Sequence, residues 1–132
     1  MLFRSHEIGA AATLIDLRDY QLIFCDGKEN ESGYPNDVFR LRDEVKSAHG
    51  AILGTPEYHG GVSGVLKNAL DLMGFEELEG KMLGLVGVSG GALGAVHASA
   101  TCEPSAVRFT PGLFPTRSPF LKLGKYSMRK EI

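Results

Sequence analysis

The sequence predicts a single α/β domain built around a parallel sheet, and three of its features support this. The chain has 132 residues, which suits one domain with a sizeable core. Two short apolar runs, 51–53 and 81–88, have the composition of strands that are buried on both faces. Apolar residues recur at helical spacing over 36–48 and 62–73. Strands that alternate with helices indicate parallel strands joined by crossovers.

The first third of the chain supplies one more predicted strand. Residues 1–8 have the composition of the last turns of a helix that Gly9 closes. Residues 10–17 form an apolar run that predicts a short buried strand. The stretch 18–32 is predicted to be mostly loop, with a turn at Asp26-Gly27. A helix is then expected to follow Pro35, with Asn36 or Asp37 as its cap.

The most informative stretch is 50–72, where a strand is followed by a glycine-rich loop and a helix. Pro56 donates no ladder hydrogen bond, so the strand that begins near Gly50 is expected to end there. Glu57, Tyr58 and His59 are then predicted to lie on the loop. Ligands of open α/β sheets bind where such loops leave the strands, so this loop is the predicted site.

After the loop, Ser63 is predicted to cap a helix over 62–73. A polar connection leads to the strand at 81–88, and residues 89–91, Ser-Gly-Gly, form a tight turn. A further helix of small residues is expected to begin near Ala92.

Two motifs in this region resemble the signature of the NAD(P)H-dependent FMN reductase family. They are T-P-E-Y-H-G at residues 55–60 and S-G-V-L-K-N-A-L-D at residues 63–71. Gly80-Lys81 and the stretch G-V-S-G-G at residues 87–91 are similar to the next strand and loop of the same family. The resemblance covers roughly residues 10–98 and implies a three-layer flavodoxin-like fold with a parallel sheet.

The resemblance also implies a flavin site and an oxidoreductase activity. The activity would be the reduction of FMN, or of a quinone through bound FMN, by NADPH or NADH. A flat heterocycle fits an aromatic wall and a few backbone N–H donors, and the flavin performs the chemistry, so no residue is predicted to be catalytic. The residues implied to bind the cofactor are Pro56, Glu57, Tyr58, His59, Gly60, Ser89, Gly90 and Gly91.

Each of these residues also has a simpler interpretation. Tyr58 and His59 would then be exposed loop side chains, and the glycines after Ser89 would only serve a turn that needs positive φ. Glu57 is expected to order its loop by accepting backbone N–H bonds rather than to act as an acid or base.

The chain departs from the family pattern at both of its ends. The family begins with a strand and a loop rich in Gly, Ser and Arg that holds the FMN phosphate, and this chain shows no such stretch. From about Ser99 the sequence differs again, and its four remaining prolines exclude a long helix. The expectation is one domain over 1–132, family-like over 1–98 with an atypical tail over 99–132. The alternative function is therefore a truncated, inactive remnant that binds FMN weakly or not at all.

A serine hydrolase is a third interpretation, because residues 87–91 also fit the G-x-S-x-G nucleophile elbow. That fold needs an acid and then a histidine later in the chain. The only histidine after Ser89 is His97, which is too near on the same predicted helix, and no Asp follows Asp71. We therefore reject this interpretation.

Composition excludes several other classes of function. A net charge of −2 gives no electrostatic case for binding nucleic acid or an anionic membrane. No apolar run approaches the roughly 18 residues of a membrane-spanning helix. The cysteines and histidines show no metal-ligand spacing, and two cysteines are too few for a disulfide framework. A cytoplasmic location is expected, and the resemblance implies a homodimer or homotetramer.

Overall fold

The computed structural model describes residues 9–27, 31–90, 95 and 97–98. These residues form a three-stranded sheet with helices packed against it, which confirms the predicted α/β class. The predicted helix over 1–8 and the tail over 99–132 lie outside the described residues. In chain order the elements are a 3-10 turn (Leu17–Asp19), α1 (Asn36–Ser47), β1 (Gly50–Tyr58), β2 (Gly61–Val62), α2 (Gly64–Asp71), α3 (Phe75–Leu78) and β3 (Met82–Val88).

The sheet has the order β2-β1-β3 and combines two kinds of pairing. Strands β1 and β3 are parallel, in a register that runs from Gly50 opposite Met82 to Pro56 opposite Val88. This confirms the predicted parallel pair. Strand β2 pairs with the last two residues of β1 in the antiparallel direction, and the sequence patterns did not predict it.

The predicted end of β1 at Pro56 is wrong, because the strand continues to Tyr58. Proline removes one donor but does not prevent an extended backbone, and Pro56 is the last residue that pairs with β3. Beyond it, Glu57 and Tyr58 pair with β2 on the opposite edge. A new partner strand therefore extends β1 past the proline.

The strand predicted at residues 10–17 does not form. Residues 10–16 have no regular structure and Leu17 begins the 3-10 turn, which the Asp16 side chain caps by accepting the Arg18 N–H at 3.0 Å. An apolar run becomes a strand only where a neighbour completes its ladder. None of the described strands pairs with this run, and its first residues are exposed.

Helix α1 buries the apolar side that the sequence predicts, but its predicted cap is wrong. Pro35 occupies the cap position and makes no side-chain cap bond, while Asn36 is already helical. The carboxylate of Asp37 instead accepts the backbone N–H of Gln21 at 2.8 Å, so a long-range bond replaces the local cap. The buried residues of the helix are Val38, Leu41 and Val45.

Helix α2 confirms its predicted cap. The Ser63 hydroxyl accepts the backbone N–H of Leu66 at 3.3 Å. Leu66, Ala69 and Leu70 are buried, whereas Val65 is 59% exposed.

The hydrophobic core lies on one face of the sheet, so the prediction of strands buried on both faces is wrong. Leu83 is buried on that face together with side chains of all three helices, and Ala51, Leu53 and Leu85 pack against them. On the opposite face Ile52 is 57% and Met82 is 75% exposed. Every described helix that contributes to the core packs on the first face. These helices therefore leave the apolar side chains on the opposite face of the strands uncovered.

Asn68 attaches the loop before α1 to helix α2. Its side-chain oxygen accepts the backbone N–H of Cys25 at 2.9 Å, and its side-chain nitrogen donates to the carbonyl of Ile23 at 3.0 Å. The amide thus replaces the backbone partners that a neighbouring strand would supply. This side chain holds two backbone groups of a segment that has no regular structure of its own.

We expect the substitution Asn68→Ala to lower the free energy of unfolding by about 1–3 kcal/mol, because it removes two hydrogen bonds to the backbone. Urea denaturation measures the change. The matched control is Lys67→Ala, which removes only an exposed ion pair with Asp71 and should cost less than about 1 kcal/mol. Equal losses for the two variants would contradict this role of Asn68.

Candidate functional site

Two turns lie at the same end of the sheet, at the carboxyl ends of β1 and β3, because these two strands are parallel. Pro56 and Val88 are the last register partners of β1 and β3, so the residues that follow them start from neighbouring positions. The first turn contains His59 and Gly60, and the second begins at Ser89. The structure therefore places at one end of the sheet the two segments that the sequence assigned to one site. We call this end, formed by residues 56–60 and 89–90, the rim.

The first turn is tighter than the predicted loop. Tyr58 and Gly61 are antiparallel partners, and the two residues between them have φ values of 52° for His59 and 75° for Gly60. A two-residue connection with positive φ at both positions is the type I′ hairpin turn, which matches the twist of paired strands. Tyr58 is 62% exposed at the end of β1, and His59 is exposed beside it.

Thr55 joins the end of β1 to the beginning of α2. Its hydroxyl oxygen accepts the backbone N–H of Ser63 at 3.0 Å and donates its own proton to the carbonyl of Pro56 at 2.9 Å. Both Thr55 and Ser63 are buried, so water cannot take the place of either partner. Thr55 was not among the predicted site residues. The sequence feature that could have indicated it is a hydroxyl residue at the end of an apolar strand.

Glu57 joins the two sides of the rim. Its Oε2 atom accepts the backbone N–H of Ala98 at 3.0 Å, and Ala98 is fully buried in the segment that follows the second turn. Glu57 therefore accepts a backbone N–H, but from the segment after the second turn and not from its own loop as expected. Its partner is 41 positions away along the chain, a distance at which no local pattern gives a signal.

The second turn presents backbone rather than side chains. Ser89 is half-buried and Gly90 is exposed, while Gly91 lies outside the described residues. Gly90 does not have a positive φ, and a Cβ atom added to it would meet no other atom within 4 Å. The simpler interpretation, a glycine that a positive φ requires, is therefore wrong for Gly90. The described structure leaves open space beside its backbone.

No feature of the described residues indicates a metal site or a membrane span. Within the described ranges no three His, Cys, Asp or Glu side chains form a group that could hold a metal ion. In the same ranges no helix is both long and apolar enough to cross a bilayer.

Comparison with known protein families gives one clear result. The sequence profile described as NADPH-dependent FMN reductase matches residues 2–117. The match extends past residue 98, where the resemblance described for the sequence motifs ends.

Curated relatives carry similar descriptions. An NAD(P)H-dependent FAD/FMN reductase of Geobacillus thermodenitrificans (strain NG80-2) is 39% identical over 77 residues, which are 58% of this chain and 41% of that protein. An FMN-dependent NADPH-azoreductase of Staphylococcus aureus (strain USA300) is 37% identical over 92 residues, which are 67% of this chain and 48% of that protein. The chain thus spans less than half the length of these relatives.

Two solved structures share the fold. FerB, a flavoenzyme NAD(P)H:(acceptor) oxidoreductase from Paracoccus denitrificans, aligns with a TM-score of 0.68 at 24% identity, over 83% of this chain and 62% of that one. The apo form of the NADH:FMN oxidoreductase EMOB aligns with a TM-score of 0.61 at 20% identity, over 80% of this chain and 57% of that one.

The type I′ turn makes a prediction about His59. Asparagine tolerates positive φ better than histidine, and a β-branched residue tolerates it worse. We expect His59→Asn to raise the free energy of unfolding by about 0.5–1 kcal/mol and His59→Val to lower it by about 1–2 kcal/mol. Urea denaturation of both variants tests this, and the reverse order of stability would show that the turn is of another type.

Proposed function

Because the chain belongs to the NADPH-dependent FMN reductase family, we propose that it binds FMN at the rim and uses NADPH or NADH to reduce it. The observation that supports the proposal is the convergence of the two turns at one edge of the sheet. One turn carries the exposed ring of Tyr58, and the other carries the open backbone of Gly90. An aromatic wall opposite unobstructed backbone is the combination that a flat, polar heterocycle fits.

The residues present at the rim fit this cofactor. Tyr58 offers its ring face at low entropic cost, because the antiparallel pairing with Gly61 fixes its backbone. Gly90, with open space beside its backbone, offers its N–H group to a carbonyl oxygen of the flavin. Pro56, His59 and Gly60 shape the first turn around the site, and Gly91 stays a prediction.

When bound, FMN accepts a hydride from the nicotinamide and passes the electrons on to an acceptor. The chain's own contribution is to bind, orient and partly cover the reacting rings. No general acid is required of the protein, because the turns are exposed and solvent can supply protons there. A quinone is the acceptor that we propose for the second half-reaction.

A second candidate is a protein that retains the fold but binds FMN weakly and has no activity. The observation that favours it is that one face of the sheet leaves Ile52 and Met82 largely exposed. Phosphate contacts supply much of the affinity for a dianionic cofactor, and no described residue has been assigned to them.

Titration of the purified chain with FMN, followed by NADPH oxidation with a quinone, separates the two candidates. We expect bound flavin to be visible in the absorption spectrum and NADPH to be consumed. Tyr58→Ala should weaken FMN binding about tenfold, because the ring loses its stacking partner. The control is Phe24→Ala, which truncates an exposed aromatic residue in the loop before α1. A colourless protein that FMN does not titrate supports the second candidate.

Association of two or four copies is a further part of the proposal. It is supported by the exposed Val65 on α2, an apolar residue on the helix that follows the first turn. Sedimentation equilibrium measures the mass of the assembly, and a monomer at all concentrations would contradict association.

A cytoplasmic location stays a prediction of the sequence.

A further inference from the structure

The side chain of Glu57 makes a contact that its place in the strand does not require. Glu57 already has a backbone partner in Val62 of β2. Its carboxylate turns to the other side of the rim and accepts the N–H of Ala98. Ala98 is fully buried, so removal of the carboxylate takes away the partner that this N–H has here.

The second turn is therefore tied to β1 at two points. Before the turn, Val88 is the register partner of Pro56. After the turn, Ala98 is held by Glu57, the next residue along β1. Ser89 and Gly90 lie between these two attachments. The first attachment is part of a ladder, whereas the second depends on one side chain.

This geometry differs from a direct contact between Glu57 and a flavin. A carboxylate directed at the ring would oppose the negative charge that reduction adds to it. A carboxylate that binds Ala98 uses its charge on a buried N–H donor, where a charge-assisted bond is strong. The observed contact thus favours a role that acts through the backbone.

We infer that Glu57 is a positioning residue that sets the separation of the two turns through Ala98 and does not itself touch the cofactor. The inference rests on the proposed function, and it changes the role that family resemblance implied for Glu57. Removing the carboxylate releases Ala98, so Ser89 and Gly90 lose one of the two points that attach them to β1.

The variants Glu57→Ala and Glu57→Gln test this. Glutamine keeps an acceptor oxygen without the charge, and alanine keeps neither. The matched control is Glu76→Ala, which removes a carboxylate that is 79% exposed and paired with Lys46. That pair lies at the other end of the strands, because Lys81, just before β3, donates to the carbonyl of Lys46.

Two measurements on the full chain are needed. The first is hydrogen exchange of the Ala98 amide without FMN, together with the NMR shifts of Ser89 and Gly90. The second is the FMN dissociation constant with the reduction potential of the bound flavin. We expect Glu57→Ala to speed exchange at Ala98 roughly ten- to hundredfold and to weaken FMN binding by about tenfold or more. Glu57→Gln should fall between it and the wild type, and any shift of the potential should accompany faster exchange at Ala98.

The outcomes distinguish this inference from the proposed function. Exchange at Ala98 that is unchanged in both variants overturns the positioning role, whatever the chain does with FMN. A potential that shifts in Glu57→Gln while exchange stays normal shows direct contact with the flavin and also overturns it. If the wild type binds no FMN, the proposed function fails, and exchange with the Ser89 and Gly90 shifts still decides whether Glu57 positions the turn. If Glu57→Ala does not fold, Glu57→Gln gives the same two readouts.

Discussion

The parallel ladder between β1 and β3 is the constraint on which the rest of this structure depends. Its register places Pro56 opposite Val88, where β3 ends and β1 continues with β2 as its partner. A slip of one residue would move every core side chain of one strand to the other face. Leu53 and Leu85 are register partners, and both pack against the core. The register that places these side chains in the core is therefore also the register that aligns the two turns of the rim.

Around this ladder, polar side chains hold backbone that lacks a strand neighbour. Thr55 binds the start of α2, Glu57 binds the segment beyond the second turn, and Asn68 binds the loop before α1. Each contact joins backbone to side chain across elements, and each satisfies groups that would otherwise be costly to leave unpaired. Order at the rim thus comes from a few specific bonds, since the turns themselves bury little apolar surface.

Within the described residues, helices cover only one of the two apolar faces of the sheet. Strands of a parallel pair are typically covered on both sides, and the composition of β1 and β3 has that character. The exposed Ile52, Met82 and Val86 show that the pattern exceeds what the described helices cover.

The sequence by itself determined the elements whose causes are local, and most of the rim. The Ser63 cap and the buried sides of α1 and α2 follow from spacing within a few residues, and the alternation of strands with helices predicted the parallel pair. Only the tertiary structure decided the unformed strand at 10–17, the extension of β1 past Pro56 and the partner of Glu57. The physical reason is that a ladder, a strand end or a long-range hydrogen bond exists only when a distant segment supplies its other half.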